Sequence, residues 1–310
     1  MIQQAIGIDV GGSAIKAALV DLAGGIRGLI RVPTPSSAPE VAEQCGSIAR
    51  SLLSAEARAV GVGSAGLVDR AGGVHIWGPH VPGPARISEV VGEATGLPVI
   101  LDNDSNAAAF AELTAGAVRG TSDAVVIMLG TGIGGGLIVD GSIYRGRGFA
   151  GEIGHMVLDP SGPTCECGLR GCWETLVSGS VLDSAAARLA ADHPGGAVAR
   201  LAGGQPPQGE HLLLAAEEGD AESLAEWEKA GEWLGQGIAR LTAILDPEVV
   251  VVGGAPSVAG DLLLDPARAT LVAAGYGSHL NRHPEVVASR FGGESAVIGA
   301  GLQALESLDD

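Results

Sequence analysis

Three cysteines and a histidine carry the sharpest chemical signal in the chain. His155 is followed, after nine intervening residues, by Cys165-Glu166-Cys167-Gly168-Leu169-Arg170-Gly171-Cys172. One imidazole and three potential thiolates at this density form a complete Cys₃His set, which suits a closed tetrahedral zinc site. Gly168 and Gly171 permit the tight turns that a short loop folded around a metal requires. No open ligand position is evident, so such a metal is expected to be structural rather than hydrolytic. The alternative is a free-thiol loop beside a coincidental histidine. Glu152 precedes His155 by three residues and Glu174 follows Cys172 by two. A metal that ties this segment down would hold both carboxylates rigidly beside it; without one, each reads as a solvated surface residue.

A second group of polar residues, Asp102-Asn103-Asp104-Ser105-Asn106, lies between a short apolar run and an Ala-rich stretch. Asp, Asn and Ser are favoured helix N-caps, and capping accounts for at least one of them. A carboxylate at a strand end beside a helix N-terminus also stays ionised and can orient a hydroxyl nucleophile.

Glycine supplies the third group. Leu129-Gly130-Thr131-Gly132-Ile133-Gly134-Gly135-Gly136 contains a GxGxxG match at Gly130, Gly132 and Gly135. That fingerprint must open a helix to bind a dinucleotide, whereas here Leu137-Ile138-Val139-Asp140-Gly141 continues as a strand into an Asp-Gly turn. No Gly-Lys pair occurs anywhere, which excludes a Walker loop. The same layout occurs earlier, where Ala5–Val10, Gly11-Gly12-Ser13 and Ala14–Asp21 read as strand, glycine turn with a hydroxyl, strand and Asp. Two matched hairpin tips present nests of backbone N–H groups able to cradle a phosphate chain, with Asp9 placed to hold a metal ion directly or through water. Tight hairpins with no ligand are the simpler alternative, and they explain one glycine cluster better than two.

The elements that must position these groups alternate between strand and helix. Helical patterns cover Glu40–Leu53 and Ser88–Thr95, a short strand Pro98–Leu101 feeds a helix from about Ser105, and helices follow near Ser180–Ala191 and Ala221–Leu245. A buried strand Glu248–Val252, a helix Leu262–Ala273, a strand Val286–Ala288 and a helix from about Ala296 complete the pattern, and Gly195–Gly209 reads as a surface loop. The order is mixed α/β, and the repeated hairpin implies two related lobes.

Composition narrows the function classes. Among 310 residues, acidic side chains outnumber basic ones 36 to 18, for a formal charge of −18. Lys16 and Lys229 are the only lysines. A surface this acidic repels nucleic-acid backbones and anionic membranes, so neither is expected as a partner. Apolar runs such as Ala124–Leu129 fall far short of the roughly 20 residues of a spanning helix. The Met1-Ile2-Gln3-Gln4 start lacks the basic and apolar character of a signal peptide, so a cytoplasmic location is expected. Glycine, at 50 residues, shows neither a collagen period nor a linker tract and clusters at strand ends, where a backbone can approach something closely. Cys45 stands alone in a helical pattern and reads as a small core residue.

Taken together, these segments resemble the ROK family (repressor, open reading frame, kinase) within the hexokinase/actin-like phosphotransferases. The resemblance runs over nearly the whole chain in the family's order: Asp9-Val10-Gly11-Gly12-Ser13, Leu129 to Gly136, Asn103-Asp104-Ser105-Asn106-Ala107-Ala108, Glu152-Ile153-Gly154-His155, the Cys165 to Glu174 loop and Val251-Val252-Gly253-Gly254. It implies a two-lobed α/β fold of the actin/hexokinase (ribonuclease H-like) type, with a cleft between lobes. The small lobe is expected over 1–118, with a C-terminal helix at about 294–310 packing back on it, and the large lobe over 119–293. It implies an ATP-dependent kinase acting on the primary hydroxyl of a hexose, glucose first, with Asp104 as base. Gly66, His80, Asn103, Glu152, His155 and Glu174 would hold the sugar. Asp9, Gly11, Gly12, Ser13, Lys16, Gly130, Thr131, Gly132, Gly134, Gly135, Gly253 and Gly254 would hold Mg²⁺ and ATP. His155, Cys165, Cys167 and Cys172 would hold structural Zn²⁺, His155 using one ring nitrogen for the metal and the other for the sugar. A homo-oligomer, dimer or tetramer, is expected.

The chain departs from the family pattern at Pro79-His80-Val81-Pro82-Gly83-Pro84, where an asparagine and a tryptophan are common. His80 replaces an amide and Pro84 removes a bulky wall. These changes leave kinases for N-acetylmannosamine, N-acetylglucosamine or fructose as alternatives. A sugar-sensing repressor is disfavoured by the position of Asp9 near the start of the sequence and by two intact glycine motifs. Polyphosphate as donor would favour a basic channel that so arginine-poor a sequence does not suggest.

Overall fold

A computed structural model describes residues 3–78, 81–280 and 282–308. The chain packs as two compact units: unit 1 comprises 1–127, 135–151 and 289–310, and unit 2 comprises 128–134 and 152–288.

Unit 1 is built on a five-stranded sheet. Its elements are β1 (Gln4–Val10), β2 (Ala14–Asp21), β3 (Ile26–Pro33), α1 (Ala38–Ser51), β4 (Ala57–Ser64), β5 (Leu67–Asp69), β6 (Val74–Trp77), α2 (Ile87–Thr95), β7 (Val99–Asn103) and α3 (Asp104–Ala115). The sheet order is β3-β2-β1-β4-β7; β2 is antiparallel to both β1 and β3, β4 is parallel to β1, and β7 is parallel to β4. Parallel neighbours need a crossover, which α1 and α2 supply. Ile6, Ile8, Val10, Ile15, Val60, Val62 and Leu101 from the strands pack with Val41, Cys45, Ile48, Ile87 and Val91 from those helices. Cys45 is fully buried and unpaired, and burial pushes its thiol up to about 12, the behaviour of a small core residue.

A second five-stranded sheet has the order β10-β9-β8-β11-β12, from β8 (Ala124–Leu129), β9 (Ile133–Val139), β10 (Ser142–Ile143), β11 (Val249–Gly254) and β12 (Glu285–Ala288). Its helices are α4 (Gly179–Asp192), α5 (Ala197–Ala202), α6 (Gly209–Glu217), α7 (Ala221–Leu245) and α8 (Asp261–Ala274). The stretch expected as a surface loop, Gly195–Gly209, therefore contains the helix α5. Its Gly and Pro punctuate the two ends, while Val198 and Ala202 bury one face.

The last helix, α9 (Ser295–Glu306), lies on the first sheet and against α3. Many of the glycines serve this packing. A Cβ at Gly7 or Gly61 would strike the α9 backbone at Val297 or Ala300, and one at Gly299 would strike Ala107 in α3. These glycines let a helix seat on the sheet rather than a ligand approach it, which the clustering at strand ends did not reveal. Buried Glu112 of α3 accepts from Ser289 Oγ (2.6 Å) and the Arg290 N–H (3.3 Å), fixing the segment that leads into α9.

Candidate active site

In unit 1, β7 runs directly into α3, and the two carboxylates at that junction have different surroundings. Asp102 is buried; its Oδ2 accepts from Arg145 Nη2 (2.6 Å), Arg145 Nε (2.9 Å) and Gln303 Nε2 (3.0 Å). It is committed to holding the strand end. Asn103 is the N-cap of α3, and Asp104 is the helix's first residue, half-buried, with Oδ1 accepting the Ser105 N–H at 2.8 Å. Capping thus explains Asn103, and Asp104 stands in the first turn of α3, at the positive end of a helix dipole.

The first hairpin tip lies in the same unit. Asp9 near the end of β1 pairs in register with Lys16 of β2, and Lys16 Nζ lies 3.6 Å from Asp9 Oδ2. Lys16 also donates to the Gly293 carbonyl at 2.6 Å, so its ammonium supports the backbone as well as Asp9. Burial pushes Asp9 up to about 7; Lys16 pulls against this, and Asp104 adds repulsion. A carboxylate with only a partial countercharge in so buried a place suits a second cation, as Mg²⁺ with a nucleotide would supply. The tip itself, Gly11-Gly12-Ser13, is closed by the Gly11 N–H to the Ala14 carbonyl (3.1 Å), and Thr34 Oγ1 donates to the Gly11 carbonyl (2.7 Å). Gly12 is half-buried and Ser13 exposed. Gly66 accepts from Asn103 Nδ2 at 3.1 Å. His80 lies outside the described residues.

Unit 2 carries the second tip and the cysteine loop. The Gly130 N–H donates to the Gly132 carbonyl (3.0 Å), the Gly130 carbonyl accepts the Gly179 N–H (2.8 Å), and Ser180 Oγ donates to the Thr131 carbonyl (2.8 Å). The first turn of α4 therefore braces the tip. A Cβ at position 132 would run into the Glu174 carboxylate, so glycine there is what lets Glu174 lie against the tip. Gly253 and Gly254 end β11, and Gly254 has φ +88°, a conformation that favours glycine.

His155, Cys165, Cys167 and Cys172 present ligand atoms that all lie within 4.8 Å of one another. His155 Nδ1 is 3.6 Å from Cys165 Sγ, and Cys167 Sγ is 3.6 Å from Cys172 Sγ. All three cysteines are free thiols, and burial pushes those of Cys165 and Cys172 up. Thiolates in that position call for a cation among them, and three thiolates with one imidazole match the donor set of zinc. The other ring nitrogen, His155 Nε2, points to Glu152 Oε2 at 3.9 Å, while Nδ1 lies 3.4 Å from Glu174 Oε1. The structure thus brings Glu152, His155 and Glu174 together around one imidazole.

Two residues with clear roles escaped the sequence reading. Trp173, between Cys172 and Glu174, is fully buried. Its Nε1 donates to the Trp233 carbonyl (2.9 Å), and its ring fills the space left by Gly237 on α7. It anchors the cysteine loop, and a tryptophan between two candidate residues was the available signal. His75 on β6 is also fully buried and fully hydrogen-bonded, and nothing in its local sequence singles it out.

Comparison with known proteins gives the family. A protein-family model described as "ROK family" matches residues 5–306. A glucokinase of Streptomyces coelicolor is 35% identical over 308 residues, covering 97% of each chain. An N-acetylmannosamine kinase of Escherichia coli O157:H7 is 33% identical over 306 residues, covering 96% of this chain and 97% of its own. Among solved structures, a ROK family glucokinase from Streptomyces griseus in complex with glucose and AMPPNP superposes with a TM-score of 0.91 at 34% identity, covering 98% of this chain and 99% of that one. The mixed α/β fold is that of the ROK sugar kinases, as the family resemblance implied, and the chain belongs to the ROK family.

Proposed function

We propose that this protein transfers the γ-phosphoryl group of ATP to the primary hydroxyl of a hexose, with glucose as the preferred sugar and glucose 6-phosphate as product. The observation that carries this reading is the split between the two carboxylates of the Asp102–Asp104 segment. Asp102 is locked by Arg145 and Gln303, while Asp104 opens α3 beside its cap, Asn103. Asp104 takes the proton as the hydroxyl oxygen bonds to phosphorus and the bond to the departing ADP oxygen breaks.

Asn103, Gly66, His80, Glu152, His155 and Glu174 are the proposed sugar ligands. Carboxylates, amides and an imidazole suit a polyhydroxy substrate because a hydroxyl left unpaired on burial costs binding energy. Asp9, Gly11, Gly12, Ser13, Lys16, Gly130, Thr131, Gly132, Gly134, Gly135, Gly253 and Gly254 are the proposed ligands of Mg²⁺ and ATP. Bound Mg²⁺ supplies charge neutralisation on the phosphates. His155, Cys165, Cys167 and Cys172 would hold Zn²⁺, which would supply rigidity to the loop. With Nδ1 turned toward the cysteines, His155 would present Nε2 beside Glu152.

The Streptomyces griseus structure, with glucose and AMPPNP, supports both substrate classes, and the residue roles are carried to this chain by motif. The lobes proposed for this chemistry are 1–118 with the C-terminal helix at about 294–310, and 119–293. Among the described residues no helix is long and apolar enough to cross a membrane. We place the enzyme in the cytoplasm, as a dimer or tetramer feeding glycolysis.

A kinase for N-acetylmannosamine is the second reading, favoured by the relative of that name and by Pro84, which is exposed where the family carries a bulky wall. The test is a panel of sugars with ATP, read by coupled ADP release. Phosphorylation of glucose above the other sugars is expected, and an absence of ADP release with every hexose would refute the kinase reading.

A further inference from the structure

The segment joining β6 to α2 is closed by main-chain pairs at two levels. His75 and Ala85 exchange N–H···O bonds, each of 2.9 Å, and Gly78 and Val81 exchange bonds of 3.1 and 3.2 Å. His75 lies fully buried beneath this closure. Its Nε2 is 2.9 Å from the Val81 carbonyl oxygen, and its Nδ1 is 3.0 Å from Ser64 Oγ. A carbonyl only accepts, so Nε2 carries the proton and Nδ1 accepts from the Ser64 hydroxyl. Both ring nitrogens are therefore used by a neutral imidazole, and burial lowers its pKa in keeping with that state.

The partners of His75 lead directly to residues assigned to the sugar. Ser64 ends β4 in register with Asn103 on β7. Asn103 Nδ2 donates to the Gly66 carbonyl, and Gly66 is pressed against the backbone of Trp77 and Gly78, leaving no room for a Cβ. One imidazole thus joins the loop at Val81 to the end of β4, whose last residue, Ser64, lies in register with the cap of α3.

We propose that His75 is a positioning residue for the sugar, clamping the loop at Val81 to the strand end at Ser64 and so setting the affinity for hexose and the choice among hexoses. The inference rests on the kinase reading above. His75 makes no contact with the reacting atoms in this role. It keeps Gly66, Asn103 and the Pro82–Pro84 segment in one register, and hydroxyl recognition depends on that register because hydrogen bonds weaken steeply with misalignment.

The test compares three variants with the wild type. His75→Phe keeps the bulk and removes both nitrogens; it should raise KM for glucose about tenfold while leaving kcat and KM for ATP within about twofold. His75→Gln places an amide nitrogen where Nε2 stood and should bring KM back to within about threefold of wild type, whereas His75→Asn is too short to reach Val81 and should behave like His75→Phe. If His75→Phe fails to fold, the Gln and Asn pair decides. Hydrogen exchange at the Gly78 and Val81 amides should be at least about tenfold faster in the Phe and Asn variants, with β7 unchanged. An unaltered KM for glucose in His75→Phe and His75→Asn, or a rise in the KM values for sugar and ATP together, overturns the proposal. A wild-type protein that phosphorylates no hexose overturns the kinase reading instead. Amide exchange at Gly78 and Val81 then still shows whether the imidazole holds the loop.

Discussion

Asn103 donates Nδ2 to the Gly66 carbonyl at 3.1 Å, while its Oδ1 accepts the N–H groups of Ser105 (2.9 Å) and Asn106 (3.1 Å). One amide therefore caps α3 and ties that cap to the residue after β4. An amide nitrogen has two hydrogens, so in the proposed kinase the second would be offered to a sugar hydroxyl. The arrangement fixes the backbone of Asp104 from the preceding residue, which matters to its proposed role because a base works only when it is held in line with the proton it takes.

Replacing Asp104 by Asn should lower kcat by about 10²–10⁴-fold, the usual contribution of a positioned general base. Sugar binding should persist, since an amide still hydrogen-bonds and Asn103 still caps the helix. Steady-state kinetics and calorimetric titration with glucose separate the two effects. Near-normal turnover in Asp104→Asn would remove Asp104 from the mechanism.

Metal analysis of the purified protein should find about one zinc per chain, as one Cys₃His set requires. Cys167→Ser should lose that metal and raise KM for sugar, because Glu152, His155 and Glu174 share their support with the loop. Trp173 would still anchor the far end of the loop to α7, so the fold should survive. Full activity after chelation, with zinc shown to be gone, would make the metal dispensable for catalysis.

His75 also leaves a mark on stability. Its pKa is lowered from 6.5 by burial, so below about pH 6.5 the unfolded chain takes up a proton that the folded chain refuses. Stability from this group is present above pH 6.5 and is lost as the pH falls toward the depressed folded value. His75→Gln has no such proton to take up. Thermal melts at pH 8 and pH 5 should therefore shift in favour of the variant at the lower pH. Melting curves that stay parallel across that range would mean His75 titrates alike in both states.

The site was legible where chemistry needs several residue types at fixed spacing. Cys165, Cys167, Cys172 and His155 announce a cluster able to hold a metal by composition and spacing alone, and the two glycine hairpins announce themselves by repetition. Asp102 and Asp104 were not separable in that way. Only the partners of Asp102, Arg145 and Gln303, which lie 43 and 201 positions away, show which carboxylate is committed to the fold. Long-range pairing also hid His75, whose bonds to Ser64 and Val81 leave no local pattern. The same holds for Gly7 and Gly61, whose purpose is a helix from the end of the chain. The helix Ala197–Ala202 was lost because flanking glycines and prolines dominate a short window.

Glucose should be the best sugar despite the altered loop. The carboxylate–imidazole set of Glu152, His155 and Glu174 is complete, and it outnumbers the one contact changed at His80. An imidazole nitrogen offers one hydrogen bond where an amide offers both a donor and an acceptor, so one bond at most is lost, worth about 0.5–1.5 kcal/mol. That loss raises KM several-fold without changing which pattern of hydroxyls is preferred. The opposing effect is at Pro84, where missing bulk could admit an N-acetyl group at C2. Competition among glucose, mannose, N-acetylglucosamine and N-acetylmannosamine at equal concentration weighs one against the other. An N-acetylated sugar ahead by more than about tenfold in kcat/KM, about 1.4 kcal/mol of transition-state preference, would show that the Pro82–Pro84 segment and not the carboxylate set decides the substrate.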